Sequence, residues 1–163
     1  MNAVLIVVSD IHGNLEALEA VSADMPKAPI ICLGDLVGYG ANPNEVVEWA
    51  IENRVASIMG NHDHATITGD TSWFNPYAAK AILWTRRVLS AECRRYLESL
   101  PERRLLELSG VKLLMVHGSP FDPISEYVYP ETHQHLFNYY LEKEGVGVLA
   151  LGHTHVPFEW RGE

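Results

Sequence analysis

The chain has 163 residues, of which 47% are hydrophobic, and carries a formal net charge of −9. This length and composition fit one globular domain over residues 1–163 with a sizeable core, and exclude a disordered chain. The acidic balance argues against nucleic-acid and anionic-membrane partners, and no apolar run approaches the roughly 20 residues of a membrane span. The apolar start lacks a basic flank and a small-residue cleavage site, so it is not read as a signal peptide and a cytoplasmic location is expected.

In chain order, residues 4–9 form an apolar run that ends at Asp10, as a strand buried on both faces would. Leu15, Leu18 and Val21 have helical spacing. Residues 30–33 read as a second buried strand, with Cys32 as a buried thiol. Asn42-Pro43, with Glu45 at the capping-box position, predicts a helix to about residue 53. A third strand is expected at 55–59. Asn75-Pro76 starts a helix through residue 89, and Ser90 caps another that ends before Pro101. Residues 104–108 and 111–116 read as strands joined by a Ser109-Gly110 hairpin, 130–144 as a helix and 146–151 as a last buried strand. The alternation of strands and helices with short loops implies an α/β architecture. Six of the basic residues form the pairs Arg86-Arg87, Arg94-Arg95 and Arg103-Arg104. They read as solvated helical faces, with a phosphate-steering patch as the alternative.

Five apolar strands are each followed by a polar cluster: DIHGN (10–14), GD (34–35), GNHDH (60–64), HGSP (117–120) and GHTH (152–155). Ligands of α/β sheets bind outside the carboxyl ends of the strands, so five such clusters predict one site. Asp10, Asp35, Asn61, His12, His117, His153 and His155 supply oxygen and nitrogen donors without a thiolate. That is too many for one tetrahedral zinc and suits two ions, Mn²⁺ first, with Fe, Zn or Ni as alternatives. Such a donor set fits two-metal phosphate-ester cleavage, in which ions roughly 3.5–4 Å apart hold a bridging water and bind phosphate oxygens. Two divalent ions and two aspartates leave the site positive despite the acidic chain.

DIHGN, GDLVGYG, GNHD, HG and GHTH, in this order across residues 10–155, resemble the calcineurin-like metallophosphoesterase superfamily, and its small prokaryotic phosphodiesterase-like members in particular. The resemblance implies a two-sheet α/β sandwich with helices on the outer faces. It implies that Asp10, His12 and His155 bind the first metal, that Asp35 bridges both, and that Asn61, His117 and His153 complete the second. His62 is then not a ligand; it stabilises the transition state and protonates the leaving alkoxide. Substrate contacts fall to Tyr39, Asn61 and His62. Members of the family usually continue past the last motif with further strands, so either the second sheet is expected to be cut short or residues to follow Glu163.

Phosphoprotein phosphatases and symmetrical dinucleoside-tetraphosphate hydrolases carry GD-x-x-DRG where this chain has GDLVGYG. Gly38 replaces the acid that orients the histidine, and Tyr39 replaces the arginine that clamps phosphate. The expected activity is therefore hydrolysis of small phosphodiesters, nucleotides among them. A phosphomonoesterase is the alternative, and a non-catalytic scaffold a remote one, because such scaffolds lose members of a set that is complete here. Asp63 either orients His62 or caps its loop. His64 reads as a loop residue, and His133 and His135 as surface residues on different faces of a helix. Trp73 and Phe74 read as core, with an aromatic lip shared with Tyr127 and Tyr129 as the alternative. A homo-oligomer is left open.

Overall fold

A computed structural model describes residues 4–162. The first half alternates strands and helices: β1 (Ile6–Val8), α1 (Leu15–Asp24), β2 (Ile30–Cys32), α2 (Pro43–Glu52) and β3 (Ala56–Ser57). Helices α3 (Asn61–Thr68), α4 (Pro76–Val88) and α5 (Ala91–Glu98) follow. The second half is β4 (Arg103–Leu108), β5 (Val111–Val116), α6 (Gln134–Glu144) and β6 (Val148–Leu151). Strands β1, β2 and β3 form one parallel sheet in that order. In the second sheet β5 lies between β4, to which it is antiparallel, and β6, to which it is parallel.

The two sheets pack face to face with helices outside, as expected. Side chains alternate across a strand, so each central strand serves two layers. Ile31 of β2 meets Leu113 and Met115 of β5 between the sheets, while Cys32 turns to a core with Leu36, Val46, Val47, Ala50 and Leu97 under the helices. On the other face of β5, Leu114 and Val116 pack near Leu141 of α6. No described helix is long and apolar enough to cross a membrane.

Strand β1 differs from the expectation of burial on both faces. It is an edge strand, and Val7 is 49% exposed. Its hydrogen-bonding edge has no partner strand among the described residues, so an apolar run alone did not report its position. Two caps perform as expected: Asn75 accepts N–H bonds from Tyr77 and Ala78, and Ser90 accepts one from Cys93. Asn42 precedes α2 but its side chain caps nothing. In the hairpin, Ser109 and Gly110 both have positive φ, as a type I′ turn requires. Helix α6 begins four residues later than expected; His133 is its N-cap and lies outside it. The stacked rings of His133 and His135, with centroids 5.2 Å apart, are therefore not on opposite helix faces. Helix α3 is absent from the sequence reading because NHDHATIT has no apolar periodicity.

Candidate dinuclear metal centre

All five polar clusters leave the carboxyl ends of β1, β2, β3, β5 and β6 on one side of the molecule, where their side chains converge. Asp10 Oδ1 lies 3.3 Å from His155 Nε2 and 4.0 Å from both His12 Nε2 and His117 Nε2. Asp35 Oδ2 lies 3.6 Å from His12 Nε2 and 3.4 Å from His117 Nε2. Asn61 Oδ1 is 3.0 Å from His117 Nε2. His153 shares a potential ligand group with Asp35 and His117, as His155 does with Asp10 and His12.

Backbone carbonyls decide which nitrogens point inward. His12 Nδ1 donates to Val37 O at 3.1 Å and His117 Nδ1 to Leu33 O at 2.7 Å, which leaves Nε2 of each for the cluster. His153 is the reverse: Nε2 bonds Ser125 O at 3.2 Å, so Nδ1 is free. Asp35 Oδ1 accepts the His62 backbone N–H at 2.8 Å, while Oδ2 faces the imidazoles of His12 and His117.

Of the non-glycine residues with positive φ, five are candidate ligands: Asp10, His12, Asp35, His153 and His155, with φ from 53° to 71°. The left-handed region costs such residues on the order of 1 kcal/mol or more, and strain of this kind collects at functional sites. It is not visible in residue types. Gly60 is required for a different reason: a Cβ there would strike the Asp35 carboxylate. At Gly38, φ is +137° and a Cβ would lie 2.7 Å from His62 Nδ1 and 2.8 Å from His12 Nδ1.

The donor set fits divalent ions. Asp10 Oδ1 is buried without a hydrogen-bond partner. Asn61 Oδ1, Asp35 Oδ2 and Asp10 Oδ1 lie within 4.0 Å of His117 Nε2, a concentration of oxygens that suits a cation. Burial lowers the His117 pKa, but Asp35 and Asp10 outweigh it and raise it to about 9. Burial pushes the Asp35 carboxyl up, yet His117, His12 and His62 hold it well below the usual range.

His62 is buried, and its Nδ1 has no hydrogen-bond partner. Burial lowers its pKa to about 4. Its ring is held by rings: His12 at 4.6 Å, Tyr39 at 4.6 Å and Phe74 at 4.9 Å between centroids. Asp63 does not orient it. The Asp63 carboxylate is fully buried and accepts N–H bonds from Asp35 (2.8 Å), Val37 (3.1 Å), Gly60 (3.1 Å) and Leu36 (3.4 Å). It ties the turn after β2 to the start of α3, and so fixes Asp35. The sequence left this choice open; only the fold brings residues 35–37 over the first turn of α3.

Beside the cluster, a cavity of about 220 Å³ is bounded by Asp35, Tyr39, Asn61, His62, Tyr127 and His153, among others. No Lys or Arg among the described residues lines it. Arg86 instead bonds the carbonyls of Thr66 and Ile67, Arg94 pairs with Glu98, and Arg103 with Glu144. The phosphate-steering alternative for these arginine pairs therefore has no place at the cavity. Trp73, expected in the core, is 93% exposed, whereas Phe74 packs edge-on against His62. Tyr127 stacks on His153 at 3.8 Å and Tyr129 lies parallel to Tyr127. His64 is exposed and outside the cluster. A separate cavity of about 830 Å³ runs along Val7, Leu149, Phe158 and Trp160 and contains none of the donors.

The calcineurin-like phosphoesterase superfamily domain matches residues 4–162. The chain belongs to this superfamily. It is 40% identical to an uncharacterized protein of Methanocaldococcus jannaschii, over 97% of this chain and 65% of that protein. It is 42% identical to a metallophosphoesterase from Sphaerobacter thermophilus of known crystal structure, with a TM-score of 0.77, over 96% of this chain and 62% of that one. A hypothetical protein of Pyrococcus horikoshii OT3, 20% identical with a TM-score of 0.76 over 90% of this chain and 68% of that one, shares the fold. The chain thus spans about two thirds or less of the length of the first two relatives. The calcineurin-like membership agrees with the five motifs quoted above, and the two-sheet architecture agrees with the fold they imply.

Proposed function

We propose that this calcineurin-like chain hydrolyses small phosphate esters, diesters in preference to monoesters, with two divalent ions, Mn²⁺ first among them. The convergence of two aspartates, four imidazoles and one amide at the ends of five strands supports this reading. Asp10, His12 and His155 would hold one ion, and Asn61, His117 and His153 the other, with Asp35 available to both. Such ions supply Lewis acidity toward phosphate and lower the pKa of water between them.

The chain's own residues do the rest. The carbonyls of Leu33, Val37 and Ser125 fix the tautomers of His117, His12 and His153. Asp63 holds Asp35 in its left-handed conformation. Tyr39, Phe74 and His12 hold the His62 ring at the cavity wall, where it assists the leaving oxygen by hydrogen bonding. Asn61 borders the same cavity and contributes an oxygen without adding negative charge. The preference for diesters rests on the cavity lining. A monoester dianion carries an additional charge that no lysine or arginine is there to meet. A cytoplasmic location is proposed with it, since Cys32 and Cys93 are buried and unpaired.

The test is turnover of bis(p-nitrophenyl) phosphate against p-nitrophenyl phosphate by metal-stripped protein supplied with Mn²⁺. The diester is expected to be hydrolysed faster. Faster monoester turnover would reverse the ranking, and no Mn²⁺-dependent hydrolysis of either would remove the enzymatic reading.

A further inference from the structure

Resting on that phosphodiesterase reading, we propose that Tyr39 is a specificity-determining residue, and that one face of its ring stacks a planar, uncharged substituent of the diester. Tyr39 stands between two spaces. One is the cavity of about 220 Å³ beside the donor cluster; the other is a groove of about 370 Å³ bounded by Gly13, Asn14, Ala41 and Asn42. Among the described residues, only Tyr39 and His155 border both. A diester with its phosphorus at the cluster reaches the groove by passing these two side chains.

The ring suits the task because the site itself holds it. It lies 4.9 Å from His12 at 66° and 4.6 Å from His62 at 51°, both buried, yet remains 52% exposed. A fixed ring with an open surface gives up little freedom when another ring stacks on it. Tyr127, which also borders the cavity, is less suited, because its ring is already stacked on His153 and lies parallel to Tyr129.

The groove restricts the occupant further. It contains Glu16 and no Lys or Arg, so a second phosphate or a carboxylate would be repelled. Asn42 offers its carboxamide, which α2 does not use as a cap. The substituent is therefore neutral and flat with a hydrogen-bonding edge, such as an aryl ring or nucleobase, and not a polyphosphate.

Calorimetric binding of diphenyl phosphate and dimethyl phosphate to the Mn²⁺-loaded wild type, Tyr39→Phe and Tyr39→Leu tests this. Wild type and Tyr39→Phe are expected to favour the diphenyl ester by about tenfold, the range of a single aromatic stack. Tyr39→Leu keeps apolar bulk without a ring face, and its preference is expected to fall to about twofold or less. In turnover, Tyr39→Leu is expected to raise KM for bis(p-nitrophenyl) phosphate more than for methyl p-nitrophenyl phosphate. An unchanged diphenyl preference in Tyr39→Leu overturns the proposal, even if both diesters are hydrolysed. A ring-dependent preference without hydrolysis supports Tyr39 as the stacking wall and removes the enzymatic reading instead. Failure to bind either ester overturns both.

Discussion

At the scale of single residues, Asp63 carries more of the site than its neighbour His62 would suggest. Its carboxylate receives four backbone N–H groups from two separate loops and is wholly buried. An amide in its place would turn an NH₂ toward N–H donors. Asp63→Asn is expected to cost about 2–4 kcal/mol in urea unfolding and to weaken Mn²⁺ binding through Asp35. His155 presents the opposite balance. It is 52% exposed by side chain and sits at φ 56°, where glycine is at ease. His155→Gly is expected to stabilise the metal-free chain by up to about 1 kcal/mol while reducing metal affinity, measured by melting with and without Mn²⁺. A loss of stability in the metal-free state would show that the conformation is not strained.

At the scale of elements, the helix starts separate sequence signals that act from those that do not. Asn75 and Ser90 bond the first-turn N–H groups of α4 and α5, so replacing either by alanine is expected to cost about 1 kcal/mol. Asn42 looks the same in sequence, but its side chain makes no such bond. Asn42→Ala is expected to cost less than half as much. Equal losses by thermal melting would mean that Asn42 caps α2 in solution. Helix α3 shows why local pattern fails. Its residues are held by contacts with the 35–37 turn and with α4, through Asp63 and Arg86, and not by an apolar stripe.

At the scale of the whole molecule, the two sheets place five strand ends together, and buried carboxylates with no described lysine or arginine in the cavity lining make the cluster costly without metal. Each bound Mn²⁺ is expected to raise stability by about 2.7 kcal/mol at a hundredfold excess over its Kd. Asn61→Ala should diminish that shift, whereas His62→Ala should keep it and lose turnover. If both variants lose the shift equally, His62 belongs to the metal shell.

The sequence alone determined the α/β class, the superfamily motifs and the candidate donors, because strand-end clusters of Asp, His and Asn lie within short, recognisable stretches. It also determined which helices start at Asn75 and Ser90, since a cap acts within one turn. Only the tertiary structure decided that β1 is an edge, that Trp73 faces solvent and Phe74 faces His62, and that Asp63 serves Asp35. Each of these depends on segments distant in the chain, and residue type does not encode which neighbour arrives. The same holds for Tyr39. Its position in GDLVGYG marks it as different, but its place between two cavities follows from how the turn after β2 meets the loops after β1 and β6.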